Sequence, residues 1–282
     1  MCRSIVPGSL WVLGLAALTA AGCARRLPPA AAQPLRIAAA SDLQRVLPRL
    51  IERFQNQAPT TMTPTLTFDA SGRLAEQIKA GAPFDLFLSA NVKFVTDLAA
   101  AGLVEPASVQ PYARGSLVLC LHRAAGDQVR GLADLSGPEI KRIAIANPEY
   151  APYGLAARQA LERAGLWSRL ESRIVRATSV RQAMIYVQNG DAEAALVSHA
   201  LAVVPEVRVI EVDAALYDPL IQALGIVAAT SQHDRAAALA QFILGGEGQA
   251  ILRESGFLST DAAPGPPSSP ALKTSDPSKS TR

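Results

Sequence analysis

The sequence predicts a doubly wound α/β body folded as two lobes. Three observations carry that expectation. Short apolar β-type runs alternate with amphipathic helical segments along most of the chain. Most of the runs are continuous rather than alternating, as expected of strands buried on both faces. There are about nine of them, many for one sheet and comfortable for two.

The runs are Arg36–Ala40, Thr65–Phe68, Asp85–Ala90, Ser116–His122, Arg142–Ala146, Arg173–Ala177, Ala194–Ser198, Arg208–Val212 and Gln222–Ala229. The first helix follows Ser41, with Leu43, Val46, Leu47, Leu50, Ile51 and Phe54 on one stripe. Pro48 removes a backbone donor within it and predicts a kink near the second turn. Further helices are expected over Leu74–Ala80, Lys93–Ala101, Gly154–Ala164, Val180–Gln188 and Arg235–Leu244. Residues 34–113 read as the first part of lobe I, 114–224 as lobe II and 225–258 as the return to lobe I. No internal repeat is evident.

The ends lie outside this body. Residues 1–22 read as an export signal, with Arg3 followed by the apolar stretch Leu10–Leu18, which is too short to span a bilayer. Ala20-Ala21-Gly22-Cys23 resembles a bacterial lipoprotein cleavage box with Cys23 as the lipidated residue; Ala20 stands where such boxes usually have Leu. An ordinary secretory signal is the alternative, and both readings export the protein to the periplasm or cell envelope. Residues 23–33 read as a tether, and 259–282, rich in Pro, Ser, Thr, Lys and Asp, as a disordered tail.

Cys2 and Cys23 belong to the signal and its end, which leaves Cys120 in the apolar run Leu117–Leu121. An intrachain disulfide is thereby excluded after processing, and core packing is the expected role of Cys120. The formal net charge is +3; Arg3, Arg25 and Arg26 carry three charges and the tail a net one more, so the body stands at −1. No basic patch interleaved with aromatics occurs, which argues against nucleic acid as a partner. The basic tether suits an anionic membrane surface.

Chemistry concentrates where strands run into helices. Ile37-Ala38-Ala39-Ala40-Ser41-Asp42-Leu43 and Phe68-Asp69-Ala70-Ser71-Gly72-Arg73-Leu74 each place a serine between a strand and a helix. Such a turn gathers a hydroxyl, free N–H groups and the positive end of a helix dipole, and it can bind a small anion without a cationic side chain. A serine there can equally be an N-cap, stabilising its helix by roughly 1 kcal/mol. Ala151-Pro152-Tyr153-Gly154 and Ala177-Thr178-Ser179-Val180 repeat the strand-to-helix arrangement. Tyr153 could aim its hydroxyl into a cleft or pack on its loop. Thr178 or Ser179 would cap, leaving the Val180 N–H free to donate.

Asp85 invites a catalytic reading, but a carboxylate in such a loop more often fixes the loop or an interlobe contact. His122, His199 and His233 are scattered, with no ligand spacing for a metal ion. A Gly-x-Ser-x-Gly elbow, a P-loop and a Gly-x-Gly-x-x-Gly turn are all absent from the sequence, so an enzyme has no positive support.

Taken in order and spacing, these motifs resemble the periplasmic molybdate-binding proteins, the substrate-capture component of molybdate ABC transporters. The resemblance rests on Ala38–Leu43, Ser71–Ile78, Gly81–Ala90, Asn147-Pro148-Glu149 with Pro152-Tyr153-Gly154, and Ser179-Val180-Arg181, and it covers nearly all the body. It implies a type II periplasmic-binding fold, two α/β lobes with the ligand cleft between them, and no cofactor. It implies oxyanion donors at Ser41, Ser71, Tyr153 and the backbone N–H of Val180. It also implies a monomer that delivers molybdate or tungstate to a membrane permease driven by an ATPase. One position departs from the pattern: Ser198 stands where some members carry a tyrosine, and Tyr153 could supply that hydroxyl instead.

Molybdate and tungstate are fully deprotonated dianions at neutral pH and ask only for donors. Phosphate keeps a proton and needs an acceptor. Asp42 and Asp69 flank the site in sequence but are expected outside the ligand contacts, Asp42 because a carboxylate at a helix start already suits the dipole. Sulfate matches molybdate in charge and shape and differs in bond length, so pocket size alone separates them. Binding of sulfate or phosphate therefore remains an alternative, and an exported enzyme on the same lobes a third.

Overall fold

The computed structural model describes residues 33–57, 64–125 and 128–261. The expectations for the signal, for Cys23 and nearly all of its tether, and for most of the tail fall outside those residues. Among the described residues no helix is long and apolar enough to cross a membrane.

Strands β1 (Arg36–Ala40), β2 (Thr65–Asp69), β3 (Leu86–Ser89), β4 (Gln110–Gly115) and β10 (Leu220–Ile226) form a first sheet in the order β2-β1-β3-β10-β4. A second sheet takes β5 (Leu117–His122), β6 (Ile143–Ala146), β7 (Ile174–Ala177), β8 (Ala194–Ser198) and β9 (Val207–Glu211) in the order β7-β6-β8-β5-β9. The two sheets share one plan. Three parallel strands lie side by side, β2-β1-β3 in one and β7-β6-β8 in the other. One antiparallel strand follows, β10 or β5, and an edge strand closes the sheet. The α/β expectation holds, with mixed rather than purely parallel sheets.

The chain passes between the sheets at Ser116 and again between β9 and β10. The boundaries move by a few residues from those expected. Gly115 still pairs in the first sheet, opposite Leu220, so the first passage comes later than residue 113. Residues 220–224 also belong to the first sheet, because β10 pairs with β4 from Leu220 onwards. Strand β4 escaped the sequence reading altogether. It is polar and contains Pro111, a composition an edge strand tolerates because one side needs no full set of ladder donors.

The helices are α1 (Leu47–Gln57), α2 (Ser71–Lys79), α3 (Val92–Ala100), α4 (Pro152–Arg163), α5 (Trp167–Leu170), α6 (Val180–Asn189), α7 (His233–Leu244) and α8 (Gly246–Glu254). Pro48 does not kink a continuous helix. Residues Ser41–Gln44 form a separate 3-10 turn, and α1 begins at Leu47, so Pro48 sits in the first turn, where its missing N–H costs nothing. The short α5 and α8 were also not foreseen.

Both faces of the first sheet are covered. Ile37, Ala39 and Leu88 pack with Leu43, Leu47, Leu50 and residues of α7 and α8. Ala38 and Phe87 pack on the other face with Leu74, Ile78, Val95 and Leu98. The second sheet carries its own core, which also takes in Ala40, Ala70 and Ala90 from the ends of the first-sheet strands. Cys120 lies buried in β5, and burial pushes its thiol up to about 12, as a packing residue requires.

Asp85 fixes the first lobe rather than joining the two. Its carboxylate accepts from the Arg36 backbone N–H at 2.7 Å, the Arg36 guanidinium at 3.1 and 3.2 Å, Thr230 Oγ1 at 2.7 Å and Gln232 Nε2 at 3.2 Å. Burial alone would raise this carboxyl, but the hydrogen bonds from Arg36 and Thr230 outweigh it and hold it below its ordinary value. Asp85→Ala strands these partly buried donors and should destabilise the protein by about 3 kcal/mol, read as a lower denaturant midpoint.

Candidate functional site

Two sheets built on one plan present the carboxyl ends of their parallel strands to each other. The turns that leave β1 and β2 bring Ser41, Asp42, Asp69, Ala70 and Ser71, and Ala90 follows β3. The turns that leave β6 and β7 bring Ala151, Pro152, Tyr153 and Val180. Together these residues line a tight cavity of about 10 Å³, and none of them is Lys, Arg or His. A carboxyl-end crevice is where open α/β sheets bind ligands. A larger, more open cavity of about 500 Å³ lies elsewhere, bordered by His122, Gln128, Glu139 and Glu193. None of the four turns reaches it, and Glu193 is already engaged by Arg142 and the Lys141 N–H.

All four residues named from the sequence meet at the smaller cavity. The two serines do not cap helices. Ala40 and Ala70 hold the cap positions without side-chain bonds, and each serine is the first helical residue. Ser71 Oγ accepts from the Ala90 N–H at 2.9 Å, which leaves its proton to donate. Ser41 is buried and lines the cavity. Ser179 does cap, accepting from the Gln182 N–H at 3.2 Å, and this sets Val180 as the first residue of α6. The Val180 N–H therefore has no acceptor within its own helix.

Tyr153 is wholly buried, and its hydroxyl reaches across to the first lobe. It accepts from Gln222 Nε2 at 3.1 Å and packs against Gly115, where a Cβ would stand 2.1 Å from Oη. The second Nε2 proton of Gln222 goes to Asp42 Oδ2 at 2.6 Å, and Gln222 Oε1 accepts from the Tyr112 hydroxyl at 2.6 Å. With both Gln222 donors spent, the Tyr153 proton points elsewhere; Asp42 and Ser198 are its near polar neighbours. Burial, then the adjacent Asp42 charge, raises both Tyr112 and Tyr153 well above the ordinary tyrosine range, so both stay protonated donors.

Asp42, expected outside the ligand contacts, is fully buried and lines the cavity, in one network with Gln222, Tyr112 and Tyr153. Burial raises its carboxyl to about 6, although hydrogen bonds from Gln222, Tyr153 and its own turn oppose the shift. Oδ1 is buried and has no hydrogen-bond partner among the described residues. Asp69 also borders the cavity, with Oδ1 accepting from the Ala70 N–H at 2.7 Å. Gln222 was missed entirely. Its signal was there: one amide in the apolar run Leu220–Ile226.

A second tie closes the cleft. The Gly72 N–H, at the start of α2, donates to the Tyr150 carbonyl at 2.9 Å, and the Arg73 guanidinium lies over the Tyr150 ring at 5.6 Å. Only glycine permits this approach: a Cβ at residue 72 would stand 2.8 Å from the Tyr150 oxygen.

Comparison with known proteins agrees with this geometry. The family model described as "Bacterial extracellular solute-binding protein" matches residues 35–258. A molybdate-binding protein of Rhodobacter capsulatus is 30% identical over 202 residues, 71% of this chain and 79% of its own. That of Azotobacter vinelandii is 32% identical over 197 residues, 68% of this chain and 77% of its own. The solved structure of a periplasmic molybdate-binding protein of Azotobacter vinelandii superposes with a TM-score of 0.74 at 30% identity, covering 79% of this chain and 98% of that one. A sulfate-binding protein of Mycobacterium tuberculosis shares the fold, with a TM-score of 0.69 at 16% identity over 81% of this chain and 88% of its own.

Two measurements check the site. Gly72→Ala should push the lobes apart and weaken binding of small oxyanions roughly tenfold or more, read by calorimetric titration. Asp42 carries a folded pKa above its unfolded one, so the stability it contributes is fully present below the unfolded value of 3.8 and is lost as pH rises through about 6. Ionised Asp42 thus costs on the order of 3 kcal/mol above that window. In thermal unfolding, Asp42→Asn should exceed the wild type at pH 7.5 and match it near pH 3.5.

Proposed function

This chain belongs to the bacterial extracellular solute-binding proteins, and we propose that it captures molybdate, and with it tungstate, between its two lobes. The observation that carries the reading is the donor set. Ser41, Ser71 and the N–H of Val180 converge on one cavity from two sheets, and no basic side chain lines it. Such a site suits a dianion that needs hydrogen bonds on every oxygen and carries no proton of its own.

Tyr153 lines the cavity from the second lobe, with its hydroxyl held by Gln222. Serines from one lobe and N–H groups from the other reach a common anion only when the lobes are closed, so the ligand favours closure. The closed form then docks on a membrane permease driven by an ATPase. The chain acts outside the cytoplasm as a monomer, held by a lipid on Cys23, and it performs capture rather than catalysis.

The buried Asp42 favours a second reading. An ionised carboxylate at the cavity would accept the proton that hydrogen phosphate retains. Isothermal titration of ligand-stripped protein with molybdate, tungstate, sulfate and phosphate separates the two. The molybdate reading expects heat from the first two anions and none from the others; phosphate binding would replace it. In the Ser41→Ala, Ser71→Ala double variant, molybdate affinity should fall at least about a hundredfold, since each hydroxyl donates to a charged group. Unchanged affinity would remove both serines from the site.

A further inference from the structure

A carboxyl group is an unexpected wall for an anion cavity. Asp42 is wholly buried, and its Oδ2 is held by Gln222 Nε2. Its Oδ1, equally buried, lacks a partner among the described residues. A buried carboxylate oxygen without a donor is costly, and a dianion brought beside it makes ionisation costlier still. Both costs vanish when the free oxygen carries a proton, because the group is then a neutral donor.

We propose that Asp42 is a specificity-determining residue of capture: as the dianion enters, Asp42 takes one proton from solvent, and its free oxygen becomes a hydrogen-bond donor facing an anion rather than a charge repelling it. The O–H bond forms at the carboxylate, the proton comes from water or buffer, and the complex gains a net charge of −1 rather than −2. This rests on the site binding a fully deprotonated oxyanion, as proposed above. Its consequence is selective. The protonated group offers a donor to a dianion and leaves no acceptor at Oδ1 for the proton of hydrogen phosphate.

The surroundings of Asp42 leave it as the titrating group. Against its turn pack β1, β2, α1, α6 and residues 199–201, with Gln222 of β10, Tyr112 of β4 and Tyr153 of α4 at the carboxyl itself. Arg36 of β1 is committed to Asp85. Arg49, Glu52 and Arg53 of α1 and Arg181 of α6 are exposed, His199 is half-buried with Nδ1 4.0 Å from Glu211 Oε1, and Asp69 of β2 bonds its own neighbour's N–H. Tyr112 and Tyr153 stay protonated. A carboxyl near 6 in the free protein is largely ionised at pH 7.5 and so has a proton to gain.

The test is a proton count. Molybdate is titrated calorimetrically into the ligand-stripped mature protein at pH 7.5, in buffers of different ionisation enthalpy, and the affinity is followed from pH 6.5 to 8.5. The expected result is uptake of about one proton per molybdate, with affinity falling nearly tenfold per pH unit. In Asp42→Asn, uptake should vanish and affinity become flat with pH. Zero uptake by the wild type overturns the proposal whether or not the variant folds, and so does uptake that persists in Asp42→Asn, which would point to another group such as His199. If molybdate is silent but sulfate or phosphate binds, the molybdate reading fails and the same count is made with that anion: one proton with sulfate keeps the role of Asp42, and none with phosphate overturns it. Silence from every anion overturns both.

Discussion

The whole arrangement depends on backbone N–H groups that a helix cannot use. The first donors of any helix lack acceptors within it, and their partial charge points outward along the helix axis. Here the turns that open α2, α4 and α6, and the 3-10 turn at Ser41, all start at the ends of parallel strands. Because both sheets follow one plan, Ser41 and Ser71 leave β1 and β2 as Tyr153 and Val180 leave β6 and β7. A pair of sheets thus becomes a pair of jaws, each already tipped with donors. No cation has to be buried to attract the ligand, and none needs desolvating when the jaws meet.

The fold was legible where sequence periodicity reflects burial. β1 and β8 run over the residues expected, and most other strands lie within a residue or two, because continuous Ala, Ile, Leu and Val runs have few other uses than a two-sided sheet core. Legibility failed where tertiary context sets the outcome. β4 survives its proline only because it lies at an edge, a fact about neighbours that no local pattern carries. The membership of β10 in the first sheet was hidden for the same reason: its run is apolar enough for either lobe, and its pairing partners decide.

At the site, the strand-to-helix turns could be read and their residues do share one cavity, but the hydroxyl roles could not be read. A serine after a strand looks like a cap; that Ala40 and Ala70 take the cap positions instead depends on backbone angles. Asp42 was expected outside the ligand contacts, because a carboxylate at a helix start already suits the dipole. Its carboxylate is held by Gln222, which is 180 residues away in sequence and lies on a strand separated from β1 by β3. Long-range polar pairs of this kind leave only a faint trace, a single polar residue in an apolar run, and the chemistry of the cavity turns on one of them.

The alanines at the ends of the first-sheet strands have a consequence for how such a protein changes over generations. Ala40, Ala70 and Ala90 border the cavity with nothing larger than a methyl group, and they also pack into the core of the second lobe. Discrimination between proton-free tetrahedral dianions such as molybdate and sulfate then rests on hard-sphere fit rather than on an electrostatic code. A descendant can shift its preferred anion by small changes in the bulk of this floor while every donor stays in place. The path from one cargo to another need never pass through a form that binds nothing, which is how one scaffold can serve nutrients of different atomic size.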